Sequence, residues 1–217
     1  MPSRPPRKVT LFGATGKTGR HLIAEGLRRG MDVTVFARPG TAFDHPGVRA
    51  ISGALTDAAR LREAIRGSDA VLSALGPTAL RHPGDLPITH AMEAIILAME
   101  QEGVKRLIAV STGTAADPAD GFDWKIRMPA ALIRAAVPGA YRDIIGLART
   151  IRASSLDWTM VRVAFLTQRP ASGRLNVGLY GATRHSMAVS REAVAAFMFD
   201  RIAEPGSIRS APGISAG

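Results

Sequence analysis

The chain has no cysteine, which excludes disulfides, thiolate zinc sites, iron–sulfur ligation and a cysteine nucleophile. It also lacks a long hydrophobic run. The longest mostly apolar helical stretch, Ile88 to Met99, carries His90 and Glu93 and falls well short of the roughly 20 residues that cross a bilayer. Val9-Thr10-Leu11-Phe12 ends at Gly13, too soon for the core of an export signal. A cytoplasmic protein without a membrane partner is expected. Aromatic residues are scarce, with two Trp and two Tyr, so few rings are available to stack on bases. Lys8, Lys17, Lys105 and Lys125 are the only lysines among 28 basic residues, and the net charge is +10. The arginines that carry it are scattered rather than clustered, which reads as a solvated surface and predicts no specific nucleic-acid partner.

What is present is the composition of an ordinary globular protein: 217 residues, 46% hydrophobic and 21% charged. A chain of this length buries roughly 70% of its unfolded surface and needs no metal or disulfide to fold. Residues 1–8 read as a flexible basic, proline-broken tail, and residues 9–217 as one domain with a small C-terminal portion on the substrate side.

Strand-length apolar runs alternate with amphipathic helical stretches. Val9–Phe12, Asp32–Ala37, Val48–Ser52, Asp69–Leu75, Lys105–Ser111 and Trp158–Leu166 are the expected strands. Helices are expected over Gly19–Arg29, Asp57–Ile65 with Asp57 as N-cap, Pro87–Glu102, Ile126–Ala136, Tyr141–Ser154 and Ser190–Ile202. Pro138-Gly139 should interrupt the fourth and fifth helices, Arg174–Tyr180 offers an extra strand, and the Gly-, Pro- and Ser-rich stretch Glu204–Gly217 reads as a frayed end. Repeated β-α-β order with continuously apolar strands such as Leu107-Ile108-Ala109-Val110 implies parallel pairing with helices on both faces. The expected fold class is α/β, a Rossmann-type doubly wound, mainly parallel sheet.

Gly13-Ala14-Thr15-Gly16-Lys17-Thr18-Gly19 follows the first strand and opens the first helix. A glycine-rich turn there lets the backbone approach a pyrophosphate, whose charge then sits at the helix N-terminus. The placement between strand and helix, more than the spacing itself, points to a dinucleotide. Gly16-Lys17-Thr18 also matches the end of a nucleoside-triphosphate P-loop, but that motif needs a glycine where this chain has Leu11, and no Walker B aspartate is evident. Lys17 either adds to the phosphate cradle or points into water.

The second strand ends Phe36-Ala37-Arg38 with no carboxylate. NAD enzymes place an acid there for the ribose hydroxyls, whereas an arginine can grip a 2′-phosphate bidentately. Arg38 therefore predicts NADP(H) in preference to NAD(H), against the alternative of one more surface arginine. The Tyr-Lys pair of short-chain dehydrogenases is absent, since Tyr141 is followed at the fourth position by Ile145 and Tyr180 by Arg184. Ser111 and Thr112 end the fifth strand at the edge where ligands bind, so Ser111 either bonds a nicotinamide or substrate carbonyl or merely shapes a turn. The five histidines have no metal-ligand spacing and no serine sits in G-x-S-x-G, which argues against a metal site and against an α/β-hydrolase.

Taken with Thr34-Val-Phe-Ala-Arg38, Leu107-Ile-Ala-Val-Ser111, Leu156-Asp-Trp-Thr-Met-Val-Arg162 and Met187-Ala-Val-Ser-Arg-Glu-Ala-Val-Ala-Ala-Phe197, the glycine loop resembles that of atypical short-chain dehydrogenases/reductases. This NAD(P)H-binding group includes flavin reductase/biliverdin-IXβ reductase and the NmrA-like proteins. The resemblance runs from about Val9 to Ile202. It implies NADP held by Gly13, Thr15, Gly16, Lys17, Thr18, Gly19 and Arg38, with Leu55 and Thr56 on the adenine side. It also implies Ala74, Leu75 and Gly76 along the phosphates and ribose, and Ser111 beside the nicotinamide. Three positions depart from the family pattern: Ala54 replaces an Asp after the third strand, Val163 a Pro after the sixth, and Arg149 a Lys or Glu.

These readings lead to a reductase that passes hydride from NADPH to a flavin, quinone or similar conjugated small molecule, with Ser111 and Tyr141 at the acceptor site. Such acceptors take their proton from water and need no Tyr-Lys pair. A non-catalytic NADP(H) sensor and, further off, a sugar-nucleotide epimerase or dehydratase are the alternatives. A monomer or small homo-oligomer is expected.

Overall fold

The structure, a computed structural model, describes residues 6–41, 43–77, 82–171 and 173–217. Six parallel strands form the frame: β1 (Lys8–Phe12), β2 (Asp32–Ala37), β3 (Val48–Ser52), β4 (Ala70–Ser73), β5 (Arg106–Thr112) and β6 (Asp157–Val163). Their spatial order is β3-β2-β1-β4-β5-β6. The chain thus builds outward from β1 in one direction and returns to build in the other, leaving a crevice at the carboxyl edge between β1 and β4 where ligands bind in this class of sheet.

Alternation along the strands feeds two separate cores. Val9, Leu11, Val33 and Val35 pack with α1 (Lys17–Arg28) and α6 (Arg191–Asp200), whereas Phe12, Phe36, Val71 and Leu107 pack with α2 (Ala58–Ile65), α3 (Pro87–Gln101) and α5 (Pro138–Ala153). Both faces of the sheet are covered, which explains why the inner strands are apolar throughout. Asp57 caps α2 as expected, its carboxylate accepting from the Arg60 N–H at 3.1 Å.

The C-terminal part departs from expectation in several places. Residues 204–217 do not fray. Pro205–Ser207 forms a 3-10 turn, and Gly213–Ala216 is strand β10, with Gly213, Ile214 and Ser215 buried. It lies parallel to β6 at Gly213–Arg162 and antiparallel to β8 (Leu175–Gly178), the extra strand anticipated over Arg174–Tyr180. The single strand expected over Trp158–Leu166 is two. After β6 the chain leaves the sheet, and β7 (Phe165–Thr167) pairs with β9 (Ala188–Ser190) in a small separate sheet. Helix α4 (Trp124–Ala136) ends at Val137 and Pro138 is the first residue of α5. Proline starts a helix without loss there, because its missing N–H would be unpaired in any case. The expected break is therefore a helix start.

Nor are all the arginines solvated. Arg162 is fully buried, with both Nη atoms donating to the Asp120 carboxylate (Nη2 at 2.7 Å), Nε donating to the Ala211 carbonyl at 2.6 Å and the Tyr180 ring 4.8 Å away. Burial pushes the Asp120 carboxyl up, but Arg162 and the N–H groups of Asp117 and Tyr180 outweigh it and hold the group below its ordinary value. Arg106, also buried, has no carboxylate partner among the described residues. It donates to the carbonyls of Asp157, Arg201 and Ile202 and to the hydroxyls of Thr159 and Ser207. At the start of the chain, the N–H groups of Arg7 and Lys8 donate to the Asp69 carboxylate, and Lys8 opens β1.

Candidate functional site: a cleft at the carboxyl edge of the sheet

Parallel strands put the residues that follow them on one edge. Gly13 follows β1, Arg38 follows β2, Leu55 and Thr56 follow β3, Ala74 to Gly76 follow β4, and Ser111 and Thr112 close β5. The Phe12–Phe36 register sets Arg38 beside the glycine loop, and the Ala74 N–H donates to the Phe12 carbonyl at 2.9 Å. A cleft of about 730 Å³ opens there. Gly13, Thr15, Gly16, Lys17 and Thr18 line one side, with Ala74, Leu75 and Gly76 next to them. Ser111 and Thr112 form the floor, Ile144 and Leu147 of α5 one wall, and Val163 to Leu166 the far wall. Arg38, Leu55 and Thr56 stand outside the lining, along the same edge, and Arg38 is exposed.

The loop's glycines are required by space. Gly13 has φ +72°, and a Cβ on it would meet the Ala74 carbonyl carbon and oxygen at 2.8 Å. A Cβ on Gly19 would lie 2.3 Å from the Ala14 Cα and the Gly13 carbonyl oxygen. Only hydrogen fits at either position, and the result is backbone brought close to the cleft at the N-terminus of α1, where no side chain caps the helix. Uncapped N–H groups and the positive end of the helix dipole favour an anion.

The floor shows a second mark of a ligand site. Ser111 is 2% exposed and its hydroxyl has no hydrogen-bond partner among the described residues, a state that costs about 1–3 kcal/mol if nothing binds. The glycine cradle, the cations Lys17 and Arg20 and this unpaired hydroxyl together fit a dinucleotide. Gly13, Thr15, Gly16, Lys17 and Thr18 would hold its phosphates and Ser111 its nicotinamide end, with Gly19 letting the helix start close to the strand.

Sequence reasoning missed the far side of the cleft. Gln168 and Arg191 also line it, and the Arg191 Nε is buried without a partner among the described residues. Arg191 could have been noticed as a cation at the first position of the last helix, directly after its Ser190 cap. Gln168 carries no such signal.

Ser111 and Tyr141 are not brought together. Tyr141, on α5, lines a neighbouring cavity of about 440 Å³ with Thr114, Asp117, Asp120, Arg127 and Arg134. The two cavities adjoin through the chain itself, since Thr112 lines one and Gly113 the other. Tyr180 also borders that second cavity and is 2% exposed. Burial pushes its phenol up to about 12, and it donates to the Arg162 carbonyl at 3.1 Å, so it stays protonated and fixes the Arg162 corner. Among the described residues that line the cleft there is no carboxylate, imidazole or phenol.

Residues 13–205 match the NAD(P)H-binding family, and the chain belongs to that family. An isoflavone reductase homolog from Zea mays is 35% identical over 80 residues; the match spans 32% of this chain and 26% of that protein. A short-chain dehydrogenase/reductase from Veillonella parvula, solved in complex with NADP, superposes with a TM-score of 0.75 at 22% identity, over 97% of this chain and 94% of that one. ChuY from Escherichia coli O157:H7, described as an anaerobilin reductase, gives 0.73 at 20% identity, over 96% of each chain. At these identities the structural matches establish a shared Rossmann-type fold.

Proposed function

We propose that this protein is an NADPH-dependent reductase of a conjugated small molecule of the flavin or quinone type. The observation that carries the reading is the lining of the cleft: a phosphate cradle at one end, a buried Ser111 hydroxyl on the floor without a partner among the described residues, and no carboxylate, imidazole or phenol among the described lining residues. NADPH, when bound, supplies a hydride. The protein's own part is orientation and exclusion of water. An acceptor whose conjugation spreads the added electron pair can draw its proton from water, so no protein acid is needed. Ser111 donates a hydrogen bond to the nicotinamide amide or to an acceptor oxygen. Tyr141 meets the acceptor where it extends past Thr112 into the adjoining cavity. The NADP in the Veillonella parvula structure and the reductase descriptions of the two other relatives support this reading.

Arg38, exposed beside the loop, grips the 2′-phosphate of NADPH. Arg38→Asp is expected to weaken NADPH about ten- to hundredfold, the value of a lost charge-assisted contact, and to leave NADH nearly unchanged. Equal losses for both cofactors in a fluorescence titration would remove the 2′-phosphate assignment.

The decisive experiment follows NADPH absorbance with a panel of flavins and quinones, alongside NADPH titration by fluorescence. Turnover on a panel member, reduced in Ser111→Ala, is the expected result. Tight NADPH binding with no turnover would favour the second reading, a cofactor sensor, which the same lack of an acid–base pair supports.

A further inference from the structure

We propose that helix α4 docks this protein on an anionic lipid surface. No residue of α4 is buried. Trp124 is 59% exposed, Met128 55% and Leu132 62%, and Phe122 just before the helix is 72% exposed. Globular proteins seldom leave four large apolar side chains in water along one short segment.

The arrangement repeats what interfacial helices do. At about 100° per residue, Trp124, Met128 and Leu132 fall in one arc, with the small Ala131 and Ala135 filling it. Arg127 and Arg134 stand on one flank of this arc and Lys125 on the other. The opposite face, with Ile126 and Ala130, turns inward onto the neighbouring cavity, and Arg127, Ala131 and Arg134 are exposed at the rim of that cavity. An apolar stripe with Trp at one end and cations along both borders lies flat at the headgroup level, rings and methylenes in the acyl boundary, guanidinium groups on lipid phosphates. The Arg127 guanidinium already sits 5.3 Å from the Phe122 ring, holding a cation at the apolar edge.

Charge selects the occupant. Helix α4 has three cations and no acid. The acids before it are engaged: Asp117 pairs with Arg152 at 3.3 Å, Asp120 with the buried Arg162, and Asp123 caps the helix through the Lys125 N–H at 3.0 Å. A second copy would bring the same three cations, and another net +10, against this face. A bilayer containing phosphatidylglycerol or phosphatidylserine offers the opposite sign and an apolar layer at the right depth. Among the described residues no helix is long and apolar enough to cross a membrane, so the contact is with the surface. The length of apolar runs, on which the sequence expectation of no membrane partner stands, bears on spanning and not on surface contact. Arg127 and Arg134 also rim the cavity given above to the acceptor, but the exposed stripe Trp124, Met128 and Leu132 lies outside it, so the docking proposal does not need the reductase reading.

The test is co-sedimentation of the full chain with phosphatidylcholine vesicles, with and without phosphatidylglycerol, read together with tryptophan fluorescence. Trp158 is 6% exposed, so a blue shift on binding reports Trp124. Binding to the phosphatidylglycerol vesicles alone, weakened by salt, is expected. Leu132→Glu and Arg127→Gln should each weaken it on the order of tenfold with an unchanged thermal melt, because both side chains are exposed. The proposal is overturned by equal binding to both vesicle types, by no binding, or by Leu132→Glu binding as wild type. It is also overturned if the free protein is a dimer that Leu132→Glu dissociates, since the stripe would then be covered by a second copy.

Discussion

The two sides of the sheet are held together by different physics. From β1 to β5 the strands carry apolar side chains into two cores, and apart from Arg106 at the start of β5 the buried polar side chains there are hydroxyls such as Thr10, which donates to the Ala64 carbonyl at 2.6 Å and lies 2.8 Å from the Ser68 hydroxyl. From β6 onward the same sheet is fastened by guanidinium groups. Arg162 ties β6 to the 112–121 loop through Asp120 and to the approach to β10 through Ala211. Arg106 reaches from β5 to the ends of β6 and α6 and to the 3-10 turn. Long apolar runs can define the first half because helices α1, α2, α3, α5 and α6 cover both faces of its strands. The second half has short strands and long connections, and its register is set by a few directional bonds.

Breaking those bonds should therefore cost more than breaking polar contacts in the first half. Arg162→Ala leaves the Asp120 carboxylate without its partner and is expected to lose about 3–5 kcal/mol in urea denaturation. The pair Arg162→Met with Asp120→Leu should recover much of that, since replacing a whole buried ion pair is often close to neutral. A loss in the double variant as large as in Arg162→Ala would show that the other Arg162 contacts matter more than the ion pair.

Acid should act on the same region. Hydrogen bonds hold the Asp120 carboxyl below its ordinary value against the effect of burial. The same is true of Asp143, where burial is outweighed by Thr89, the Ile88 N–H and His82. A carboxyl depressed in the folded state stabilises fully above the unfolded pKa, about 3.9, and that stability is lost as pH falls through the lower folded value. Burial lowers the pKa of His185, so its contribution declines earlier, as pH drops below about 6.5. Denaturation midpoints should fall modestly below pH 6.5 and steeply below pH 4, and less steeply in the Arg162→Met/Asp120→Leu variant. An identical profile in both proteins would assign the acid response elsewhere. The smallest effect belongs to the apolar half: Thr10→Val, nearly isosteric, should cost about 1 kcal/mol, and a cost approaching that of Arg162→Ala would erase the contrast.

The same division governs what the sequence discloses. The first half was legible because its signals are local: apolar runs, a capping Asp57, and a glycine loop between strand and helix. The site residues that follow these strands could be placed from order alone. Strand β10 could not, because Gly-Ile-Ser-Ala after a proline has no strand signature, and its burial is imposed by β6 and β8 on either side. Arg162 and Arg106 look like any other arginines until the acceptors from distant segments are assembled around them. Arg191 and Gln168 join the cleft through β7 and β9, a small sheet whose three-residue strands leave almost no periodicity to detect.

The place of β10 also orders events during synthesis. Among the described residues strand β8 pairs in the sheet with β10 alone, yet it is made some 35 residues earlier. Chains fold N-terminal parts first as they emerge from the ribosome, so the nucleotide cleft can assemble while β6 still has an open edge and β8 waits unpaired. An exposed strand edge is a template for pairing with another chain. Insertion of β10 closes the edge of β6 and gives β8 its partner, which leaves β3 and β8 as the edges of the finished sheet.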